Sequence, residues 1–359
     1  MTMTMMLLQT RVAQGVLSRS PALSCTQRYF SSKERTNLEG YSLSVPACNV
    51  TSNIASRIGA NLHRRPLHPL ATIHGKICRY WGDNFEVHDD LSPVVSTRNN
   101  FDVLRIPPDH VSRSVSDTYY LDTETVLRTH TSAHQVDLLQ TGLAKFLVTG
   151  DVYRRDEIDR SHYPVFHQTE GVKMFSAAEL AGKNAAECTA YMEADLKEQL
   201  EGLAAALFGP TEYRWVDAYF PFTHPSYELE IYFQGEWLEV LGCGVIHPDI
   251  LENAGRGGEQ GWAFGLGLER LAMVLFDIPD IRLFWTDDER FHEQFQSGKI
   301  IKFQPYSKFP PCFKDVSFWL AEDFHVNDLN EVIRDVAGDL VEQVVRTRYF
   351  EVSKYSFFH

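Results

Sequence analysis

The sequence predicts an α+β fold: an antiparallel sheet flanked by helices, followed by a small βα unit. Three observations predict it. Lys145 to Arg155 and Pro164 to Phe175 are strand-forming runs joined by a charged loop at 156–163, a long hairpin and hence an antiparallel pair. Residues 228–241 alternate in polarity around Gln234-Gly235, a second hairpin. Between them, Ser176-Ala177-Ala178-Glu179 has the spacing of a capping box. The Ala-, Leu- and Glu-rich stretch that follows predicts a long helix or helix pair reaching Phe208.

The other elements follow in chain order. Residues 1–33 contain no Asp or Glu but carry Arg11, Arg19, Arg28 and Lys33 among many Ser, Thr and Leu, the composition of a mitochondrial transit peptide. Arg28-Tyr29-Phe30-Ser31 suits a cleavage site, so residues 1–30 are set aside as an address and 31–60 as an irregular N-terminal extension. From His68-Pro69 a helical pattern runs through Ile73, Ile77 and Trp81 to Gly82. Phe85 to Val87 and Val94-Val95 read as strand, interrupted by Pro93, and residues 107–118 as a Pro-, Ser- and Asp-rich loop. Residues 261–276 read as a strand running into a helix. The composition shifts after residue 292: residues 293–312, with Phe309-Pro310-Pro311, form a linker. Asp315 to Leu320 then reads as a strand. Asp328 to Val344 reads as a helix with Leu329, Ile333, Val336, Leu340 and Val344 on one face.

A chain of 359 residues with 44% hydrophobic and 23% charged side chains has room for two domains and is not a disordered or collagen-like chain. No apolar run approaches the roughly 18 residues of a membrane helix. With 34 Lys and Arg against 48 Asp and Glu the net charge is −14, which excludes blanket attraction to nucleic acid and requires any RNA contact to be local. The six cysteines include no C-x-x-C pair, so a zinc knuckle and a dense disulfide framework are both poor readings and scattered thiols are expected.

Residues two apart in a strand share a face. Arg154 and Asp156 do, and so do Phe166, Gln168 and Glu170, with His167 and Thr169 turned the other way. His130 and Ser132 are two apart, as are Phe220 and Phe222 around Pro221. Ala263, Gly265 and Gly267 make a run of small residues with Phe264 and Leu266 opposed to it. One sheet carrying these groups presents a polar floor, two phenyl rings and a shaved patch, suited to a flat apolar ligand with a charged head. Taken alone, Gly265 to Arg270 reads as an ordinary strand-to-helix turn: it lacks the Gly-Lys-Ser/Thr of a phosphate loop and the last Gly of a dinucleotide fingerprint. His130 and His134 are spaced as in a zinc protease helix, but no Glu follows His130.

Together the pieces resemble the class II aminoacyl-tRNA synthetases. Gly150-Asp-Val-Tyr-Arg-Arg-Asp-Glu-Ile-Asp-Arg-Ser-His162 followed by Phe166-His-Gln-Thr-Glu-Gly171 resembles motif 2, and Gly261-Trp-Ala-Phe-Gly-Leu-Gly-Leu-Glu-Arg270 resembles motif 3. The helix at 68–81 with the strand reaching Pro93 resembles a weak motif 1. Within the class, His130-Thr-Ser132, Phe166 to Glu170, Phe220-Pro-Phe222 and Trp237-Leu-Glu239 are similar to phenylalanyl-tRNA synthetases, and the leader and small C-terminal unit to their single-chain mitochondrial form.

The resemblance implies a class II antiparallel sheet at 61–292 and, at 313–359, part of a ferredoxin-like anticodon-binding module. It also implies ATP and Mg²⁺ at the site, phenylalanine and tRNA(Phe) as substrates, a monomer with no membrane association, and the mitochondrial matrix as its location. Arg154 would hold the α-phosphate and Arg270 the γ-phosphate. Phe166 would stack on the adenine with Arg270 on its other face, His162 would reach the β- and γ-phosphates, and Glu239 would be a Mg²⁺ ligand or stand behind one. Asp156 stands where the family usually has Glu against the adenine amino group. Gln168 and Glu170 would bind the substrate ammonium, His130 and Ser132 its backbone groups, and Phe220 and Phe222 its ring edge-to-face, with Ala263 closing the para position. The segment 345–359 departs from the family's C-terminal pattern, and this departure admits a second reading: a tail-truncated isoform that binds ATP and phenylalanine without charging tRNA.

Overall fold

The computed structural model describes residues 3–12, 37–38, 41–42, 48–306 and 312–352. Its centre is a seven-stranded sheet. In chain order, β1 (Met3–Val12) stands outside that sheet; β2 (Glu86–His88), β3 (Lys145–Tyr153), β4 (Val165–Phe175), β5 (Tyr213–Phe220), β6 (Thr223–Phe233), β7 (Glu236–Ile246) and β8 (Gln260–Gly267) build it in the order β2-β3-β4-β8-β7-β6-β5. Every neighbouring pair is antiparallel except β2 with β3. Both predicted hairpins are present. Gln234 and Gly235 both take positive φ (54° and 96°), which suits the tight turn between β6 and β7.

The sheet's two faces have different fates. Phe264 and Leu266 point toward the helices, where the Trp81 ring stacks on Phe264 at 5.0 Å. Helix α1 (Pro69–Trp81) starts as its sequence predicts: the His68 side chain accepts from the Leu70 amide at 3.2 Å and Pro69 occupies the first turn. It buries Leu70, Ile73, Ile77 and Trp81. The long helix α2 (Ala185–Phe208) covers the same face through Met192, Leu196, Leu200 and Leu203, and α3 (Leu268–Phe276) follows β8 directly. The opposite face is half covered by a second apolar cluster around Phe146, Val172 and Ile246. The other half is open and carries the site.

Several boundaries differ from the sequence expectation. The box at Ser176 and Glu179 does form, with the Ser176 amide donating to Glu179 at 2.8 Å, but it closes only a turn. Gly182 at φ 79° breaks the run, and the helix starts at a second capping box, Asn184 with Glu187. The stretch assigned to a linker begins inside the core: Phe295 and Phe303 are buried, and the Phe303 amide donates to the Phe276 carbonyl at 2.6 Å. The N-terminal extension likewise ends in the core, with Val50 and Ile54 buried. Cys48, Cys78, Cys188, Cys243 and Cys312 are free thiols. Among the described residues no helix is long and apolar enough to cross a membrane.

The C-terminal unit consists of β9 (Cys312–Trp319), α4 (Val326–Ala337) and β10 (Val341–Val352). The helix ends seven residues before Val344, because Gly338 at φ 55° terminates it, and the β-branched Val341, Val344 and Val345 continue as strand. β9 and β10 do not pair with each other. β1 lies between them, antiparallel to both, so the unit is a split βαβ whose middle strand comes from the other end of the chain. The segment set aside as an address thus supplies, over residues 3–12, a strand with Met6, Leu8 and Thr10 buried and with Arg11 paired to Glu342 at 2.8 Å. The rest of the expected leader, residues 1–2 and 13–30, lies outside the described residues, as do 307–311 of the linker and 353–359 of the divergent tail.

Helix α4 also turns a different face inward. Periodicity picks out its apolar stripe, yet the side buried against the large domain is Asn327, Asn330, Glu331 and Arg334, while Val336 is 64% exposed. Partners offset part of the burial of that polar face, while Asn330 Oδ1, Glu331 Oε1 and Arg334 Nη1 are buried without one. Asn327 donates to the Ser116 and Arg155 carbonyls (2.9 and 3.0 Å), Glu331 accepts from Tyr119, and Arg334 donates to the Asp156 and Glu157 carbonyls. Arg155 adds an ion pair to Asp328 at 2.8 Å.

Candidate active site

The open half of the sheet has a floor with almost no side chains. Across the β4–β8 ladder Gly265 lies opposite Glu170 and Gly267 opposite Gln168; across β8–β7 Gly242 faces Gly265 and Gly244 faces Ala263. Cross-strand partners share a face, so four glycines and Ala263 pave one surface beside Phe166, Gln168 and Glu170. A Cβ at Gly265 or Gly267 would meet no heavy atom within 4 Å, and neither residue takes a positive φ. What these glycines provide is therefore space, not backbone freedom. Gly242 is different: a Cβ there would stand 2.7 Å from Phe220, so its absence seats that ring. Gly242 and Gly244 escaped the sequence reading, because only the ladder register brings them to the floor.

The walls carry the rings and the polar groups. Phe220 ends β5 and Phe222 follows in the turn; their rings stack nearly parallel, 11° apart with centroids at 5.9 Å. His130 lies 6.4 Å from the Phe222 ring. Both His130 nitrogens and both Glu170 carboxylate oxygens are buried without a hydrogen-bond partner. Burial pushes the Glu170 pKa up to about 8, against a weaker pull from the Ser132 hydroxyl, which completes no hydrogen bond to either oxygen. Burial, together with the nearby Arg154 charge, lowers His130 to about 3 and keeps it neutral. A buried carboxylate and imidazole without partners are costly in a finished fold and suited to a ligand that supplies the missing donors. Ala263 is 7% exposed at the apolar end of the floor.

On the other side stands the arginine that the resemblance to motif 2 singles out. Arg154 is held by its Nε, which donates to the Thr129 carbonyl at 2.9 Å, and its guanidinium sits 5.1 Å from the Phe166 centroid. A cavity of about 290 Å³ is lined by Val111, Ser112, Thr129, His130, Arg154 and Asp156, among others. His162, in the β3–β4 loop, is bonded to Asp159 at 2.7 Å. Partial burial lowers its pKa, but the Asp159 hydrogen bond and the charges of Asp156, Asp159 and Glu157 outweigh this and raise it. Asp156 accepts from the Glu157 amide at 2.9 Å. Arg270 reaches across the floor to Glu239 at 3.3 Å, both exposed. The cation beside the Phe166 ring is Arg154, while Arg270, expected on the far face of the adenine, rests on the Glu239 carboxylate.

The family model of the tRNA synthetases class II core domain (F) matches residues 51–295. Phenylalanine–tRNA ligase, chloroplastic/mitochondrial, of Arabidopsis thaliana is 58% identical over 304 residues, covering 83% of this chain and 71% of the relative. The mitochondrial phenylalanine–tRNA ligase of Mus musculus is 50% identical over 342 residues (85% and 76%), and that of Saccharomyces cerevisiae 41% over 376 (82% and 80%). The chain belongs to the phenylalanine–tRNA ligases of class II. Its sheet is the class II sheet, and β4 and β8, adjacent at its centre, carry the stretches that resemble motifs 2 and 3. The family match reaches from 51 to 295, and Ile54 and Phe295 near its ends are buried.

Within this family frame the Mg²⁺ expectation rests on carboxylates near Arg270. Glu228, Glu230 and Glu239 share that end of the sheet. Burial and the charges of Glu239 and Glu230 raise Glu228 against the opposing pull of Arg270. Among the described residues no three His, Cys, Asp or Glu side chains form a metal cage. One or two carboxylates suit Mg²⁺, which usually takes its other ligands from water and substrate phosphates.

Proposed function

We propose that this phenylalanine–tRNA ligase activates phenylalanine on the glycine floor and transfers it to tRNA(Phe). The observation that carries the reading is Glu170: a buried carboxylate with neither oxygen partnered, opposite Gly265, at the edge of an open apolar slot. An ammonium group supplies the donors it lacks, with Gln168 beside it and His130 and Ser132 toward the substrate's carboxyl end. Phe220, Phe222 and Ala263 then line the ring.

In the first step the substrate carboxylate oxygen attacks the α-phosphorus of ATP and pyrophosphate leaves. The carboxylate is already the nucleophile, so no protein base is required, and catalysis is positioning and charge stabilisation. Arg154 stabilises the α-phosphoryl oxygens; Arg270 and His162 take the β- and γ-phosphates; Phe166 and Asp156 receive the adenine. Mg²⁺, held by Glu239 and phosphate oxygens, would neutralise phosphate charge. In this reading Arg270 leaves Glu239 for phosphate when ATP binds. In the second step a terminal ribose hydroxyl of the tRNA attacks the acyl carbon and AMP leaves.

The chain acts as a monomer in the mitochondrial matrix in this reading. The mitochondrial names of the relatives and the acid-free, Arg-bearing residues 1–33 support the location. No observation favours a form that binds without charging. Phenylalanine-dependent ATP–pyrophosphate exchange, followed by charging of tRNA(Phe), tests the proposal. Exchange with phenylalanine above all other amino acids is expected; its absence in folded protein overturns the reading.

A further inference from the structure

The seam between β4 and α3 is closed by a buried pair on the reverse side of the floor. The β4–β8 ladder ends at Gln168 opposite Gly267. The next amide of β4, His167, would be left without a strand partner where β8 turns into α3. Glu269 takes it: one carboxylate oxygen accepts from the His167 amide at 2.8 Å and the other is bonded to His167 Nδ1 at 2.7 Å. His167 is 0% and Glu269 2% exposed. The carboxylate lies in the first turn of α3, where the helix dipole favours a negative charge. Behind His167 the Trp285 ring stacks at 5.8 Å and the His63 ring stands at 5.2 Å, so the imidazole has little room to move.

The neighbours of the pair give it a use beyond holding the fold. His167 is flanked by Phe166 and Gln168, which the pleat turns to the other face, into the nucleotide and phenylalanine sites. Glu269 is followed by Arg270. Two hydrogen bonds therefore fix four groups: the two substrate-facing neighbours on β4, the end of β8, and the arginine that starts α3. A shift of a fraction of an ångström in this seam moves both substrate sites together, and reacting groups lose rate steeply with such misplacement.

We infer that Glu269 and His167 are positioning residues for adenylation, setting motif 2 and motif 3 in register so that phenylalanine and ATP are held at reacting distance; the pair touches neither substrate. This inference rests on the adenylation reading above. It differs from a purely structural role in what it predicts for folded protein.

The test is steady-state pyrophosphate exchange on the full chain with Glu269→Gln, His167→Leu and His167→Asn, beside Met192→Ala, a cavity in α2 on the far side of the core. Glu269→Gln and His167→Leu are expected to raise KM for both phenylalanine and ATP and to lower kcat, by about tenfold or more in kcat/KM. His167→Asn places an amide N–H near the Nδ1 position and should recover most of that loss. Met192→Ala should lower Tm and leave both KM values alone. In the Arg270→Ala background, Glu269→Gln should add little to the ATP effect, because its influence passes through that neighbour. If Glu269→Gln or His167→Leu folds with wild-type KM values for both substrates, the inference is overturned. It is also overturned if His167→Asn is as defective as His167→Leu. With folded variants, full additivity in the Arg270→Ala background also overturns it. If neither disruptive variant folds, Glu269→Asp, which keeps the charge but shortens its reach, decides it: raised KM for both substrates is expected, and wild-type KM values with a lowered Tm overturn it. A wild-type chain without phenylalanine-dependent exchange would instead overturn the adenylation reading, leaving the two failures distinct.

Discussion

Gly265 lies directly opposite Glu170 across the ladder between β4 and β8, and a Cβ at Gly265 would meet no protein atom within 4 Å. The glycine keeps the approach to the buried carboxylate open. Gly265→Val should therefore leave folding nearly unchanged, since it displaces nothing, while blocking the ammonium from Glu170. The expected outcome is a loss of about tenfold or more in phenylalanine affinity with Tm within a few degrees of wild type, a loss of ground-state binding read as a raised KM. Calorimetric titration with phenylalanine and a thermal melt check both halves. An equal fall in Tm and affinity would mean that the position is structural.

The raised pKa of Glu170 makes phenylalanine binding a proton-linked event. In the free protein the group titrates near 8 and is mostly protonated at neutral pH. An ammonium group pairs with the carboxylate, so binding at pH 7 should release a proton. Affinity should rise as pH is raised toward about 8 and then level off. Titrations in two buffers of different ionisation enthalpy measure the released proton directly. Glu170→Gln should abolish it. Stability without ligand has the opposite slope. The native protein holds a proton that the unfolded chain gives up near 4.5, so the contribution is full below about 4.5 and is lost as pH rises through about 8. The Tm advantage of Glu170→Gln over wild type should therefore grow from pH 5 to pH 9.

Much of this site could be read from the sequence because period two is a strong rule. Once 164–175 and 261–267 are strands, Phe166, Gln168 and Glu170 must share a face, as must Ala263, Gly265 and Gly267. The structure sets these two faces side by side. What one sequence does not carry is register and rotamer. Gly242 joins the floor only through pairing with Gly265, and the rotamers that set Arg154 beside the Phe166 ring and Arg270 on Glu239 follow from contacts that no strand rule supplies. Helix α4 hides its polar side because its partners, Tyr119 and Arg155, lie about two hundred residues away in the chain. The strand at 3–12 was masked by a composition that fits an address equally well.

Arg128 and Asp151 form an ion pair at 2.8 Å with side chains 1% and 2% exposed. Arg128 also donates to the Asp151 and Leu91 carbonyls and is bonded to His134. It fills the space over Gly150, where a Cβ would come within 2.0 Å of its guanidinium. The pair holds β3 to the segment that carries Thr129 and His130, and so stands behind the Arg154 anchor. Asp151→Asn or Arg128→Ala leaves a buried charge unpaired, which costs about 3–5 kcal/mol. Chemical denaturation should show a loss of that size for either variant. The double variant should lose less than the sum, because no lone charge remains. Additive losses would mean that the two groups do not act as a pair.

β1 makes a separate prediction about the C-terminal unit. None of the seven strands of the catalytic sheet comes from residues 1–30, and the site residues all lie between 130 and 270. A chain lacking residues 1–30 should therefore keep phenylalanine-dependent pyrophosphate exchange at close to the full-length rate. The unit at 312–352 should respond differently. β9 and β10 pair only with β1 in their sheet, so its removal strips a ladder from each and exposes two edges. The buried Met6 and Leu8 go with it, each worth about 1.5–3 kcal/mol of apolar burial. Hydrogen exchange should then show β9 and β10 amides losing protection, while β4 and β8 keep theirs. α4 should stay docked longer than its sheet, because Arg155, Tyr119 and the Asp156 carbonyl hold it from the catalytic side. Unchanged protection in β9 and β10 would mean that the two strands do not depend on β1, and the split βαβ arrangement would have to be abandoned.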